Sequence, residues 1–346
     1  MGKRRTIYRS KKLKKSRRRR LWFKRIRFLI MLVAFAFLCS LIYRSFIVKD
    51  INTKRASAVT QTSGRVQVGK SGTQPDAGMQ NGITWDDKIT TENSRRVDIN
   101  PLKTAIVNYL KGFEGKYGVY FYNLVTGDEF GINENDKYTA ASTIKVPLNL
   151  YLYTQIQAGV VDADSLLTYT RDDYEGGTGS LQYKAVGTRY SIRELSKLSI
   201  EQSDNVAANI LFRFLGKKNV KDYMTKVGGS VVDDEENISC PKDMGLYMKL
   251  VYRFYLNGGT LGNELMNSFM NTDFDDRIPA LLPDDVKVAH KIGTQVHVIN
   301  DVGIVFADTP FIISIMSDGV DETEAPDVIA NISKKIYDFV AANFST

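Results

Sequence analysis

The chain has 346 residues, 47 of them Lys or Arg and 39 Asp or Glu, for a formal charge of +8. Residues 1–27 hold fifteen of those bases and no acid, which leaves 32 bases against 39 acids, or −7, for the rest. The basic character belongs to a tail, so a nucleic-acid partner is not expected. Cys39 and Cys240 are too few for a disulfide framework. Behind the tail, residues 28–43 are apolar and uncharged, and continuing past Arg44 to residue 48 gives a 21-residue stretch. That is enough to span a bilayer with Arg44 snorkelling toward the interface. The basic flank marks the N-terminal side as cytoplasmic. No small-x-small cleavage site follows closely, and the basic region is long for a signal peptide. The expectation is a cell-membrane protein with a cytoplasmic tail over 1–27 and a single-pass signal anchor over 28–48. A flexible polar stalk over 49–98 would then carry an extracytoplasmic domain over 99–346.

Within that domain, residues 101–113 have helical spacing, with Leu102, Ile106, Tyr109 and Leu110 on one face. Residues 118–125 read as a buried strand, and Thr126-Gly127-Asp128 turns it back into a second strand around 129–132. A helix follows that begins near Ser142; Pro147 is tolerable so close to its start. Ser191-Ile192-Arg193-Glu194 is a capping box for a helix to about Gln202. Another helix runs over about 205–215 to a Gly216 cap, and a further one spans 244–256. Three strands over 286–292, 296–306 and 311–316 precede a terminal helix over about 325–343. Strands at both ends with helices between predict an α+β fold. An antiparallel sheet would be built from both termini of the domain and flanked by helices, with an all-helical lobe and a cleft between them.

Ser142-Thr143-Ile144-Lys145 puts a hydroxyl and an amine on one helix face. A lysine there can take the serine's proton if burial or a second cation lowers its pKa. By itself Ser-x-x-Lys is common and reads first as a capped surface helix. Downstream stand Ser203-Asp204-Asn205, between two helices, and Lys291-Ile292-Gly293-Thr294, at a strand end. The ordered trio Ser-x-x-Lys, Ser-Asp-Asn, Lys-x-Gly resembles the signature of class A β-lactamases and penicillin-binding proteins. The flanks extend the likeness: YTAASTIK over 138–145, RELSKLSIEQSDNVAANILFRFL over 193–215, Cys240 to Met244, and Asn300 to Val305.

The resemblance covers about residues 99–346 and implies roles. Ser142 Oγ would attack the carbonyl of an amide or strained lactam, with neutral Lys145 as base. The N–H groups of Ser142 and Thr294 would stabilise the oxyanion. Ser203 would pass a proton to the departing nitrogen. Asn205 would bond the substrate's amide side chain, and Lys291 with Gly293 and Thr294 would hold its carboxylate. Substrates of this type are β-lactams or peptidoglycan peptides; neither metal nor cofactor is expected, and the oligomeric state stays open.

Other features carry less. His290 and His297 flank the third motif and read as cleft-side structural residues, since neither the order nor a nucleophile elbow supports a Ser-His-Asp triad. The acidic run Asp233 to Glu236 lacks spaced His or Cys and reads as a solvated loop. Gly176 to Ser180 reads as a flexible rim to the cleft.

Two departures from the family pattern stand out. The segment between Gly216 and Pro241 is too short for the family's loop carrying a deacylating Glu-x-x-Leu-Asn, and Ile292 stands where Thr is usual. The expectation is therefore a Ser142-dependent adduct that turns over slowly. The leading reading is a membrane-anchored β-lactamase-type serine hydrolase. A penicillin-binding protein or D-Ala-D-Ala peptidase is the first alternative, and a non-catalytic β-lactam or muropeptide sensor the second.

Overall fold

The computed structural model describes residues 97–344. The basic tail, the apolar run over 28–48 and most of the expected stalk lie outside the described residues, as does Cys39. Among the described residues no helix is long and apolar enough to cross a membrane.

The chain opens with α1 (Asn100–Leu110), whose Pro101 occupies the first turn, where a missing N–H costs no bond. Next come β1 (Lys116–Asn123), β2 (Glu129–Ile132) and the two-residue β3 (Tyr138–Thr139). A 3-10 turn over Ala141–Ile144 leads into α2 (Lys145–Gln157). β4 (Leu166–Thr168) and β5 (Arg189–Ser191) form a small ribbon before α3 (Ile192–Glu201) and α4 (Asn205–Leu215). Then follow α5 (Lys217–Lys226), β6 (Ile238–Ser239), α6 (Pro241–Asn257) and α7 (Gly259–Met270). β7 (Lys287–Gln295), β8 (Val298–Phe306), β9 (Phe311–Asp318) and α8 (Ala325–Phe344) close the chain.

The five-stranded sheet runs β2-β1-β9-β8-β7, with every neighbour antiparallel. Both ends of the domain build it, as the order of strand and helix patterns predicts. Alternation along β1 sends side chains to two different cores. Val119 and Phe121 join Ile106 of α1 and Ile329, Ile332 and Ile336 of α8 on one face. Tyr120 and Tyr122 join the helical lobe on the other, with Leu148, Leu152, Ile210, Tyr247 and Met248. Burying each such aliphatic side chain contributes about 1.5–3 kcal/mol. Buried on both faces, β1 carries almost no polar residues, which is why it reads as a continuous apolar run.

The elements differ from expectation in several places. Ser142 lies in the 3-10 turn and Lys145 begins the α-helix, so the two stand nearly eclipsed at i and i+3. α6 begins at Pro241, with Cys240 as its cap, because proline is pre-set for the first helical position. α5 and α7 had no predicted counterpart. Gly216 takes φ +83, ends α4 and leads directly into α5.

Candidate active site

The nucleophile turn is strained and then pinned. Ala141, immediately before Ser142, sits at φ +49, a region an L side chain adopts at a cost of roughly 1–3 kcal/mol. Neighbouring groups fix that conformation. Asn237 Nδ2 donates to Ala141 O at 3.1 Å, Asn300 Nδ2 to Thr139 O at 2.9 Å, and Thr143 Oγ1 to Ala140 O at 2.7 Å. Ser142 Oγ makes no hydrogen bond among the described residues and faces a cleft of about 600 Å³.

Ser203 is the second strained residue, at φ +52. The turn between α3 and α4 holds it there. Asp204 caps α4 through Ala207 N at 2.9 Å and accepts from Leu181 N at 2.8 Å. Thr178 Oγ1 donates to Ser203 O at 2.7 Å, and Asn205 Nδ2 donates to Gly176 O at 3.1 Å. The glycine-rich rim is therefore tied to the second motif.

Two lysines meet at the Ser203 hydroxyl. Lys291 Nζ donates to Ser203 Oγ at 2.8 Å and to Ile292 O at 3.2 Å. Lys145 Nζ donates to Ser203 O at 2.6 Å and to Asn205 Oδ1 at 2.8 Å, and lies 3.5 Å from Ser203 Oγ. Both amines are buried, at 4% and 0% exposure. Burial pushes Lys145 down to about 8 against the charges of Asp204 and Glu175. Burial also holds Lys291 well below the usual lysine range, helped by the charge of Lys145 and opposed by Asp301. A protonated Lys291 can donate to Ser203 Oγ while the Ser203 hydroxyl turns its own proton toward a neutral Lys145.

Ser142, Lys145, Ser203, Asn205, Ile292 and Thr294 line this one cleft, and Lys291 reaches it from within through Ser203. Gly293 acts through its backbone. A Cβ there would lie 2.8 Å from Ala140 O and 3.2 Å from Thr143 N, so only glycine lets β7 press against the nucleophile turn. Gly293→Ala is expected to push β7 off that turn and to lower stability by about 1–3 kcal/mol, read as a lower denaturation midpoint with an unchanged slope.

Sequence reasoning missed Arg277. It is 4% exposed, and its guanidinium donates to Thr294 Oγ1 at 2.6 Å, Gly293 O at 3.1 Å and Asn300 O at 2.6 Å. It thereby fixes the end of β7 and leaves the Thr294 hydroxyl proton free to point into the cleft. Its neighbours in sequence carry no motif, so its only signal was being a cation close before a strand.

Neither histidine lines the cleft. His290 is buried within the sheet against Asp301, whose oxygens lie 2.9 and 3.0 Å from Nδ1, with Asp275 at 3.7 Å from Nε2. Burial opposes its charge, yet the two carboxylates hold its pKa up to about 9. His297 is exposed at the β7–β8 turn, where its N–H donates to Glu322 at 2.9 Å. The expectation of cleft-side positions is corrected for both, while their structural character stands. The acidic run is an exposed loop in which Asp233 caps the N–H groups of Glu235 and Glu236. Neither Glu235 nor Glu236 lines the cleft. Among the described residues the lining acid is Glu175, which accepts from Asn209 Nδ2 at 2.9 Å.

The profile of the beta-lactamase enzyme family matches residues 101–340. A β-lactamase of Bacillus licheniformis is 27% identical over 224 residues, 59% of this chain and 72% of that protein. The structure of TLA-3 extended-spectrum β-lactamase superposes with a TM-score of 0.64 at 25% identity, covering 70% of this chain and 98% of that one. The structure of a protein called PBP-A gives a TM-score of 0.67 at 22% identity, covering 70% and 97%.

Proposed function

Since the chain belongs to the beta-lactamase enzyme family, we propose that it is a serine hydrolase that opens β-lactams through a Ser142 acyl-enzyme and releases the product slowly. The reading rests on one observation: two buried lysines converge on the Ser203 hydroxyl in the cleft that Ser142 faces.

The chemistry follows from those positions. Ser142 Oγ bonds to the lactam carbonyl carbon as its proton passes to neutral Lys145 Nζ. The N–H groups of Ser142 and Thr294 stabilise the oxyanion. When the C–N bond breaks, the nitrogen takes a proton from Ser203 Oγ, which is refilled from Lys145 Nζ, so the serine's proton ends on the leaving nitrogen. The charge of Lys291 and the Thr294 hydroxyl hold the substrate carboxylate, with Arg277 as a positioning residue for Thr294. Asn205 accepts from Lys145 at Oδ1 and donates one Nδ2 proton to Gly176. Its second Nδ2 proton is the donor left for a substrate amide carbonyl.

Hydrolysis of the ester needs a base beside Ser142 to activate water. Among the described residues the one acid lining the cleft, Glu175, is held by Asn209 and comes from the glycine-rich rim rather than from a Glu-x-x-Leu-Asn loop, which supports slow turnover. The same feature supports a penicillin-binding reading, in which the adduct simply persists. The segment 28–48 would anchor the protein as a single pass, with this domain on the outer side of the cell membrane.

The full-length chain, given a chromogenic cephalosporin and a fluorescent penicillin, is expected to show a stoichiometric burst followed by a slow linear release. Rapid sustained release would reject slow turnover. A burst with no later release would favour the penicillin-binding reading. Absence of any adduct would reject acyl transfer.

A further inference from the structure

α5 brings two more lysines to the same cleft. Lys221 is 2% exposed, yet its Nζ has one hydrogen bond, to the Glu236 carbonyl at 2.9 Å, and no ion pair among the described residues. Lys217, one turn earlier on the same face, donates to the Glu235 carbonyl at 3.2 Å and likewise pairs with no carboxylate. Both line the cleft. Buried charges are ordinarily paired, because a single carbonyl does not replace lost hydration. Burial lowers the Lys221 pKa, Lys217 adds to the effect, and Asp233 and Asp234 oppose it from a distance. The acid lining the same cleft, Glu175, is held by Asn209 and forms no salt bridge with either lysine.

We propose that Lys217 and Lys221 form an anion subsite for the acyl half of the substrate, which therefore carries a carboxylate. The inference rests on the acyl-transfer reading above. A substrate lying across Ser142 has two ends. The leaving-group end is assigned to β7, where Lys291 and Thr294 take its carboxylate. The α5 lysines belong to the opposite wall: the carbonyls they hold precede Asn237, which bonds Ala141 behind the nucleophile. An anion reaching α5 must therefore sit on the acyl side, beyond Asn205, Asn209 and Phe212, which line the cleft along α4.

The rival view is that the two lysines only staple the loop before β6. Two cephalosporins identical except for the 7-acyl group separate these readings, one ending in a glutaryl carboxylate and the other in its methyl ester. Second-order acylation rates are measured on the full-length chain. The carboxylate form is expected to react about tenfold faster in the wild type, and Lys217→Glu or Lys221→Met to bring that ratio to about one or below. Lys217 is exposed, so its variant tests the idea even if Lys221→Met folds poorly. Equal rates for both compounds in the wild type would overturn the subsite while leaving acyl transfer intact. A preference that survives both substitutions would also overturn it, and failure of both compounds to acylate would reject the underlying reading instead.

Discussion

Ser142→Ala is expected to abolish the covalent adduct with penicillin and to lower cephalosporin turnover by a factor on the order of 10⁴ or more. The size follows from the role: removing the nucleophile removes the pathway, and neither the oxyanion donors nor the lysine pair can substitute for it. Intact-protein mass spectrometry after mixing with penicillin reads the outcome directly. Stability offers the control. Ser142 Oγ makes no hydrogen bond among the described residues, so its loss strands no buried partner. The unfolding free energy should stay within about 0.5 kcal/mol of wild type, as for substitutions away from packed or paired groups. An adduct that survives in the alanine variant would mean that another group lining the cleft, such as Lys145 or Ser203, is the nucleophile.

How far the sequence discloses this site depends on what each residue does locally. Ser203-Asp204-Asn205 is legible twice over, as a motif and as the N-cap of α4, because Asp204 satisfies local N–H groups. The two-core sheet is legible because β1 and most of β8, apart from buried Asn300 and Asp301, are apolar on both faces and so interrupt the polar pattern. α5 escaped because its buried stripe is only Val220, Lys221 and Met224, with Tyr223 packed beside them, and a lysine in that stripe breaks the apolar periodicity. α7 escaped because it opens on Gly258 and Gly259, which read as a break. Arg277 and the α5 lysines escaped for a different reason. Apart from the Thr294 hydroxyl, their partners are backbone carbonyls distant in sequence, and a side chain that bonds to backbone leaves no complementary residue type to find. The strain at Ala141 is silent as well, since alanine carries no signal for positive φ.

Lys145 carries the second large effect, and its sign can be worked out. Burial brings its pKa from the ordinary 10.5 down to about 8. The base is the neutral amine, whose fraction grows as pH rises through that value. Acylation should therefore climb about tenfold per unit below pH 8 and level off above it. Lys145→Arg stays protonated throughout, so its profile should lose the rise and its rate fall by roughly 10³ or more. Stability should move the other way. A lysine whose folded pKa is depressed opposes folding fully below that pKa, and the penalty fades as pH approaches the unfolded value. At neutral pH a depression from 10.5 to about 8 corresponds to roughly 3 kcal/mol of penalty. Lys145→Met would remove it while taking one donor from Ser203 O, which still accepts from Thr178, and one from Asn205 Oδ1, for a net gain of about 1–2 kcal/mol. A methionine variant that is inactive yet melts higher at pH 7, with the difference shrinking toward pH 10, identifies a charge kept buried for chemistry. A variant that melts lower would instead make Lys145 a structural tie between α2 and the Ser203 turn, and a rate profile flat across pH 8 would take the base assignment from it.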